Sequence, residues 1–145
     1  MNLLVMACGG TKNETTGKVR AIDLYAGRQF ALARKLYAAE GWEVVILSAE
    51  HGFISADHQI ANYDCMLDAA RVAEFATDDF QWHILRVWGQ GADRIVFYGG
   101  AKYAEVWASA IEANGFAQVG QGKNVEQIVG RGLGDHFSVL KEIAS

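Results

Sequence analysis

The 145-residue sequence contains no proline and only two cysteines. Two cysteines do not make a disulfide framework, so we expect an apolar core, a reducing compartment and a cytoplasmic location. No apolar run approaches the roughly 18 to 20 residues that cross a membrane, and the apolar start of the chain is too short for a secretory signal. We therefore expect a soluble protein with no membrane partner.

The chain also lacks an excess of positive charge, since its net charge is −4. A surface that binds nucleic acid non-specifically depends on many Lys and Arg side chains, so such a surface is not expected. The charge is uneven, with +4 in the first 35 residues and −8 in the remainder. A locally positive end favours a confined anion such as a phosphate. Scattered, solvated charges without a partner are the alternative.

The sequence does contain enough apolar residues, 51%, for one core in one domain spanning 1–145. Apolar runs without alternation predict buried strands at Leu3–Ala7, Glu43–Leu47 and Arg94–Tyr98, with a fourth at Phe116–Val119. Helical spacing predicts helices between them: one from Ile22 to a stop at Gly41, a helical region from Met66 to Gln90 divided by a cap at Thr77–Asp79, one from Lys102 to Ala113 closed by Asn114–Gly115, and a last one from Gly132 to Ile143. This alternation predicts an α/β fold, a three-layer sandwich with a mainly parallel sheet of about four strands flanked by helices.

Unusual segments follow three of the predicted strands: Cys8–Lys12, Ser48–Gly52 and Gly99–Gly100. In parallel sheets, ligands bind beyond the carboxyl ends of the strands, near a switch in strand order. The segment Ser48–Asp64 has no clear period, and we interpret it as a long loop of the kind that tends to be functional. We expect the topology to bring these segments together.

The glycine pair in Cys8–Lys12 fits neither common nucleotide motif. Six residues separate Gly10 from Gly17, where a P-loop has four, and the adjacent glycines lack the spacing of a dinucleotide fingerprint. Two adjacent glycines can still aim successive N–H groups at an anion, and Lys12 adds a charge. A tight turn that leaves a strand is the alternative.

Titratable side chains are dense in the second segment, where His51, Asp57, His58 and Asp64 fall within fourteen residues. A carboxylate there can activate water or stabilise positive charge on a sugar ring, as in glycosidic cleavage. The alternative is that the aspartates bind loop N–H groups and the histidines are solvated. Tyr63 either stacks on a base or packs.

Cysteine and aromatic chemistry are weaker candidates. Cys8 with His51 as base would make a nucleophilic pair, although no third orienting group is evident. A zinc site from both cysteines and two histidines lacks paired short spacings, so no metal is predicted. Tyr103 and Trp107 share one helical face and are more typical of core than of a stacking platform.

Taken in order, these motifs resemble the YaaA-like proteins and their shorter phage and bacterial relatives. The shared elements are Cys8–Lys12, Ala21–Gly27 with Phe30, Ile46–Ile54, Tyr63–Asp64 and, more weakly, Gly99–Tyr103 and Gly132–Gly134. Ala56 and Asn62 stand where that family usually has prolines. The resemblance implies an α/β fold, an association with DNA or oxidative damage for the longer members, and sites drawn from these motifs, without naming a reaction.

The sequence therefore predicts a pocket that recognises a nucleotide or a nucleotide unit of DNA or RNA, with hydrolysis or transfer at an N-glycosidic bond as its chemistry if it is an enzyme. The candidate catalytic residues are Asp64, His51 and Tyr63. The candidate phosphate- and substrate-binding residues are Cys8, Gly9, Gly10, Thr11, Lys12, Asp23, Tyr25, Ser48, Gly99, Gly100 and Tyr103. No cofactor is expected, and a homodimer stays open. A non-catalytic DNA-binding module of the stress-response kind and a cysteine enzyme using Cys8 are the alternatives.

Overall fold

The computed structural model describes residues 1–8, 12–63, 67–115, 124–129 and 141–143. Its elements in chain order are β1 (Asn2–Ala7), β2 (Lys18–Arg20), α1 (Ala21–Leu24), α2 (Arg28–Ala38), β3 (Trp42–Ser48), β4 (Gly52–Ser55), β5 (Gln59–Ala61), α3 (Ala69–Ala76), α4 (Asp79–Gly89), β6 (Arg94–Gly99), α5 (Ala101–Asn114) and β7 (Asn124–Val129). The protein is an α/β protein. Within the described ranges no helix is both long and apolar enough to cross a bilayer.

The main sheet has five strands in the order β4-β3-β1-β6-β7 and is mainly parallel. β1 pairs in parallel with β3 and with β6, and β6 pairs in parallel with β7. Among the described strands of this sheet, β4 alone runs antiparallel, along the edge of β3. A separate two-stranded antiparallel sheet joins β2 to β5.

The three long apolar runs are confirmed as β1, β3 and β6. Alternate residues of β1 belong to two different apolar clusters: Leu3 and Val5 lie with side chains of α3 and α5, whereas Leu4 and Met6 lie with side chains of α1 and α2. Both faces of this strand are covered, and for that reason its sequence shows no alternation.

The described sheet has five strands where about four were predicted, and β7 was not anticipated. The predicted strand Phe116–Val119 lies outside the described residues. The prediction of a long loop at Ser48–Asp64 was wrong, since the segment contains β4 and β5. β4 has four residues and pairs with β3, and β5 has three residues and pairs with β2. Strands this short show no visible period in the sequence.

The helix predicted from Ile22 is two helices, since α1 ends at Leu24 and α2 begins at Arg28. Tyr25 leaves the helical path and forms an isolated antiparallel bridge with Lys12. The predicted division of the next helical region is confirmed, because the Asp78 carboxylate caps α4 by accepting the N–H of Phe80.

The predicted end of α5 at Asn114–Gly115 is confirmed. Of the helix predicted at Gly132–Ile143, only residues 141–143 are described, and they are helical.

Candidate functional site

The carboxyl ends of β1, β3 and β6 meet at one edge of the sheet. The register pairs Ala7 with Leu47 and Met6 with Tyr98, so the three strands end side by side. β1 leads to β3 on one side, and the chain later returns to the other side of β1 as β6. This reversal is the kind of topological switch at which α/β proteins bind ligands. We call the polar side chains gathered there the strand-end site; they are Cys8, Lys12, Tyr25, Ser48, His51, Tyr63 and Tyr103.

Cys8 connects three elements at this edge. Its backbone N–H donates to the carbonyl oxygen of Leu47 at 2.9 Å. Its Sγ lies 3.0 Å from Oη of Tyr103 on α5 and accepts the N–H of Ala49, which follows β3, at 3.3 Å. The partly buried thiol therefore lies between the ends of β1 and β3 and the first turn of α5.

Gly99 allows α5 to begin this close to β1. A Cβ atom at Gly99 would lie 2.5 Å from Cβ of Ala7 and 2.8 Å from the Phe97 ring, closer than real Cβ contacts come. Gly100 is the N-cap of α5 and accepts the N–H of Ala104 at 3.0 Å. Both glycines thus support the position of Tyr103 through the backbone.

Three hydroxyl groups form a hydrogen-bonded series, which we call the hydroxyl chain: Ser48, Tyr63 and Tyr25. Ser48 Oγ donates to Oη of Tyr63 at 2.9 Å, and Oη of Tyr63 lies 2.6 Å from Oη of Tyr25. Ser48 and Tyr25 are fully buried, whereas Tyr63 is partly exposed. The chain runs from the core to the surface of the site.

Both tyrosines of the hydroxyl chain stay protonated at neutral pH. Burial raises the pKa of Tyr25 to about 12. Burial, and then the neighbouring Cys8, raises the pKa of Tyr63 well above its usual range. The hydroxyl chain therefore consists of neutral hydroxyls that donate and accept hydrogen bonds, and it contains no phenolate.

Lys12 and His51 both pack against the ring of Tyr63. The Lys12 ammonium lies over the ring, 4.5 Å from its centroid, and the His51 ring meets it edge-on at 5.6 Å. His51 Nε2 lies 3.6 Å from a carboxylate oxygen of Glu50. Among the described residues, no carboxylate lies within ion-pair distance of Lys12.

A cavity of about 540 Å³ opens beside Tyr63. Its lining residues are Lys18, Glu50, His51, His58, Gln59, Ile60, Ala61, Asn62 and Tyr63. Tyr63 and His51 belong both to this cavity and to the strand-end site, so a single ligand can contact the two. In the part of the chain that the structure describes, no three His, Cys, Asp or Glu side chains are grouped to hold a metal ion.

The remaining predicted residues fall into two groups. Gly9, Gly10, Thr11 and Asp64 lie outside the described residues. Asp23 lies in a series of ion pairs: its carboxylate is 2.8 Å from Nε of Arg20, whose Nη1 is 3.3 Å from Asp57. Asp57 also accepts the hydroxyl of Tyr37. Asp23 therefore helps to hold the segment before β5 against α1 and α2.

Gln81 supports the site and was missed from the sequence. It is buried in α4, and its Oε1 accepts the N–H of Phe53 at 2.6 Å. Gly52 has φ +73°, and a Cβ atom there would lie 2.1 Å from Oε1 of Gln81, so only glycine fits this turn. Gln81 thereby fixes the turn that carries His51. A signal was present, because Gln81 shares a helical face with the apolar Leu85 and Trp88.

Fold and site together define an α/β protein with a polar site at the carboxyl ends of its central strands. The family model of DUF6884, a family of unknown function, matches residues 3–128, and the chain belongs to this family. No curated protein and no solved structure matches the chain significantly.

Proposed function

We propose that the strand-end site binds a nucleotide, or a nucleotide unit of DNA or RNA. The phosphate lies against residues 9–12, and the sugar or base enters the cavity beside Tyr63. The observation that carries this proposal is the state of Lys12: a half-buried ammonium, held over an aromatic ring, without a carboxylate partner among the described residues. Such a cation is a ready partner for an anion.

The chemistry of the cavity supports the same class of ligand. Its volume of about 540 Å³ lies within the range of small-molecule sites. Gln59 and Asn62 contribute amide donors and acceptors of the kind that bind base edges, and His51 and His58 add ring nitrogens. The surrounding positive charge is modest, since Glu50 lines the same cavity as Lys18. A pocket for one unit suits this charge better than a duplex groove.

The proposal extends to catalysis at an N-glycosidic bond. Asp64, directly after Tyr63 in the sequence, supplies the carboxylate that stabilises positive charge developing on the sugar. His51, oriented by Glu50, and Tyr63 position the sugar. With water as the acceptor the products are the free base and the sugar phosphate, and with a second base as the acceptor they are the free base and a new nucleotide.

The finer architecture is part of the proposal. We retain a single domain with a three-layer arrangement, supported by the two apolar clusters on opposite faces of β1. We also retain a kinship with YaaA-like proteins, supported by the meeting at the strand-end site of described residues from their shared motifs: Cys8, Tyr25, Ser48, Tyr63 and Tyr103.

The test is a comparison of four probes by calorimetry and intrinsic fluorescence: AMP, adenosine, ribose 5-phosphate and a 20-base-pair duplex. We expect AMP to bind most tightly, with log affinity falling by about 1 per tenfold rise in salt, whereas a duplex binder making 6 to 10 phosphate contacts has a slope steeper than about −5. Tight, salt-sensitive duplex binding without AMP binding would instead support the DNA-binding module. Release of adenine from AMP, followed by chromatography, tests the catalytic extension separately.

The cysteine alternative is tested by alkylation of the native protein with iodoacetamide, followed by mapping of the label. His51 contacts Glu50 and the Tyr63 ring, whereas the Cys8 thiol contacts Tyr103 and the N–H of Ala49. We expect an unlabelled Cys8 and AMP binding that survives the reagent. Rapid labelling of Cys8 with loss of turnover would favour the cysteine enzyme.

A further inference from the structure

The direction of the hydroxyl chain is fixed at its Ser48 end. Oγ of Ser48 accepts the backbone N–H groups of Glu50 and His51, each at 3.2 Å, and these two contacts use both of its lone pairs. The Ser48 proton is therefore directed to Oη of Tyr63, 2.9 Å away. Tyr63 enters the chain as an acceptor.

The hydrogen bond between Oη of Tyr63 and Oη of Tyr25 can have either phenol as its donor. If Tyr63 donated to Tyr25, the Tyr25 proton would need an acceptor of its own. Tyr25 is fully buried against Phe30, and the other polar group beside its hydroxyl, Ser48, already accepts two backbone N–H groups. A buried O–H without an acceptor is unfavourable, so the opposite direction is preferred.

We propose that Tyr25 donates to Tyr63, and that Tyr63, already accepting two hydrogen bonds, presents its own proton to an oxyanion of the ligand next to Lys12. This inference rests on the proposed function and adds a rule of specificity to it. The ligand group at Tyr63 must be a hydrogen-bond acceptor, because an N–H or O–H group of a ligand would find no free lone pair there.

The position of Lys12 is compatible with one oxyanion shared between the two groups. An oxygen that accepts from two donors at about 2.8 Å from each can join donors up to about 5.6 Å apart. The Lys12 ammonium lies 4.5 Å from the centroid of the ring whose hydroxyl is the second donor. A phosphate oxygen in this position receives a charge-assisted contact and a neutral one.

The direction of the hydrogen bonds in the hydroxyl chain can be measured without any ligand. The intensity ratio of the tyrosine Fermi doublet in Raman spectra differs between phenols that donate and phenols that accept. The spectrum of wild type minus that of Tyr25→Phe isolates Tyr25, and we expect a donor signature. An acceptor signature for Tyr25 would overturn the proposed direction, whatever the protein binds.

The role of the Tyr63 hydroxyl in ligand binding is tested by the AMP affinity of variants. Calorimetry measures this affinity, and circular dichroism verifies that each variant is folded. Tyr63→Phe keeps the ring under Lys12 and removes the hydroxyl, so AMP affinity should fall by about tenfold or more. Tyr37→Phe, the matched control, removes a phenol hydroxyl that bonds to Asp57 outside the strand-end site and should change affinity by less than about threefold. Equal losses in both variants, or none in Tyr63→Phe, would refute the role of Tyr63. Failure of wild type to bind AMP would refute the proposed function, and the Raman result would still decide the direction of the chain.

Discussion

Replacement of Lys12 by methionine tests the anion site most directly. Lys12→Met removes the ammonium and keeps an unbranched stem over the Tyr63 ring. A hydrogen bond to a charged group contributes about 1.5–3 kcal/mol, so AMP affinity should fall by about 10- to 100-fold. The loss should be smaller at high salt, because part of the attraction is screened there in the wild type as well.

The same substitution should cost little stability. The folded state loses one cation–π contact at 4.5 Å, which contributes about 0.5–1 kcal/mol at a partly exposed position. For a chain of this size, that loss lowers the melting temperature by no more than about 4 °C. The bridge between Lys12 and Tyr25 is formed by the backbone and is retained.

The assay pairs AMP calorimetry with thermal unfolding, and Lys35→Met serves as the control. Lys35 is exposed in the last turn of α2, so its replacement makes the same change in net charge away from the Tyr63 ring. Equal AMP affinity of Lys12→Met and Lys35→Met would refute a role of Lys12 in anion binding. A fall in melting temperature above about 8 °C would show instead that Lys12 is structural.

Three further predictions concern the framework of the site. Gly99→Ala should lower the free energy of unfolding by about 1–3 kcal/mol in guanidinium titrations, because its Cβ would overlap β1, whereas Gly91→Ala, in open space, should be nearly neutral. Gln81→Leu should cost about 1–3 kcal/mol and speed amide exchange at the start of β4, because it removes a buried acceptor; unchanged exchange would contradict that role. The pKa of Tyr25 is raised to about 12 in the folded state, so its contribution to stability is complete below pH 10 and is lost as pH rises toward 12. Tyr25→Phe should therefore show a smaller decline in unfolding midpoint over that range, and an unchanged decline would contradict the assignment.

The parts of the fold that were predictable are those in which burial alone determines the sequence. β1, β3 and β6 are covered on both faces, and the resulting apolar runs identify them without further information. β4 and β5 depend on pairing partners and on the turn at Gly52. Such pairings are non-local, so a local pattern does not contain them.

The candidate site was predictable in its location and only partly in its contacts. Parallel strands must end at one edge, and this rule correctly grouped Cys8, Ser48 and Tyr103. It could not predict that Asp23 pairs with Arg20, because that choice depends on side-chain directions at a helix start. The role of Gln81 was equally hidden, since its partner is a backbone N–H group on another element.

Ser48 explains why the antiparallel edge strand matters for the site. A parallel β-strand usually leads into a helix, but here the chain turns back at residues 49–51 into β4, and the N–H groups of Glu50 and His51 bond to Ser48. The returning chain then pairs as β5 with β2, which brings Tyr63 to the Ser48 hydroxyl. The buried Ser48 hydroxyl accepts the N–H groups of the turn and donates to Tyr63. One side chain therefore positions both the turn that contains His51 and the ring that lies under the Lys12 ammonium.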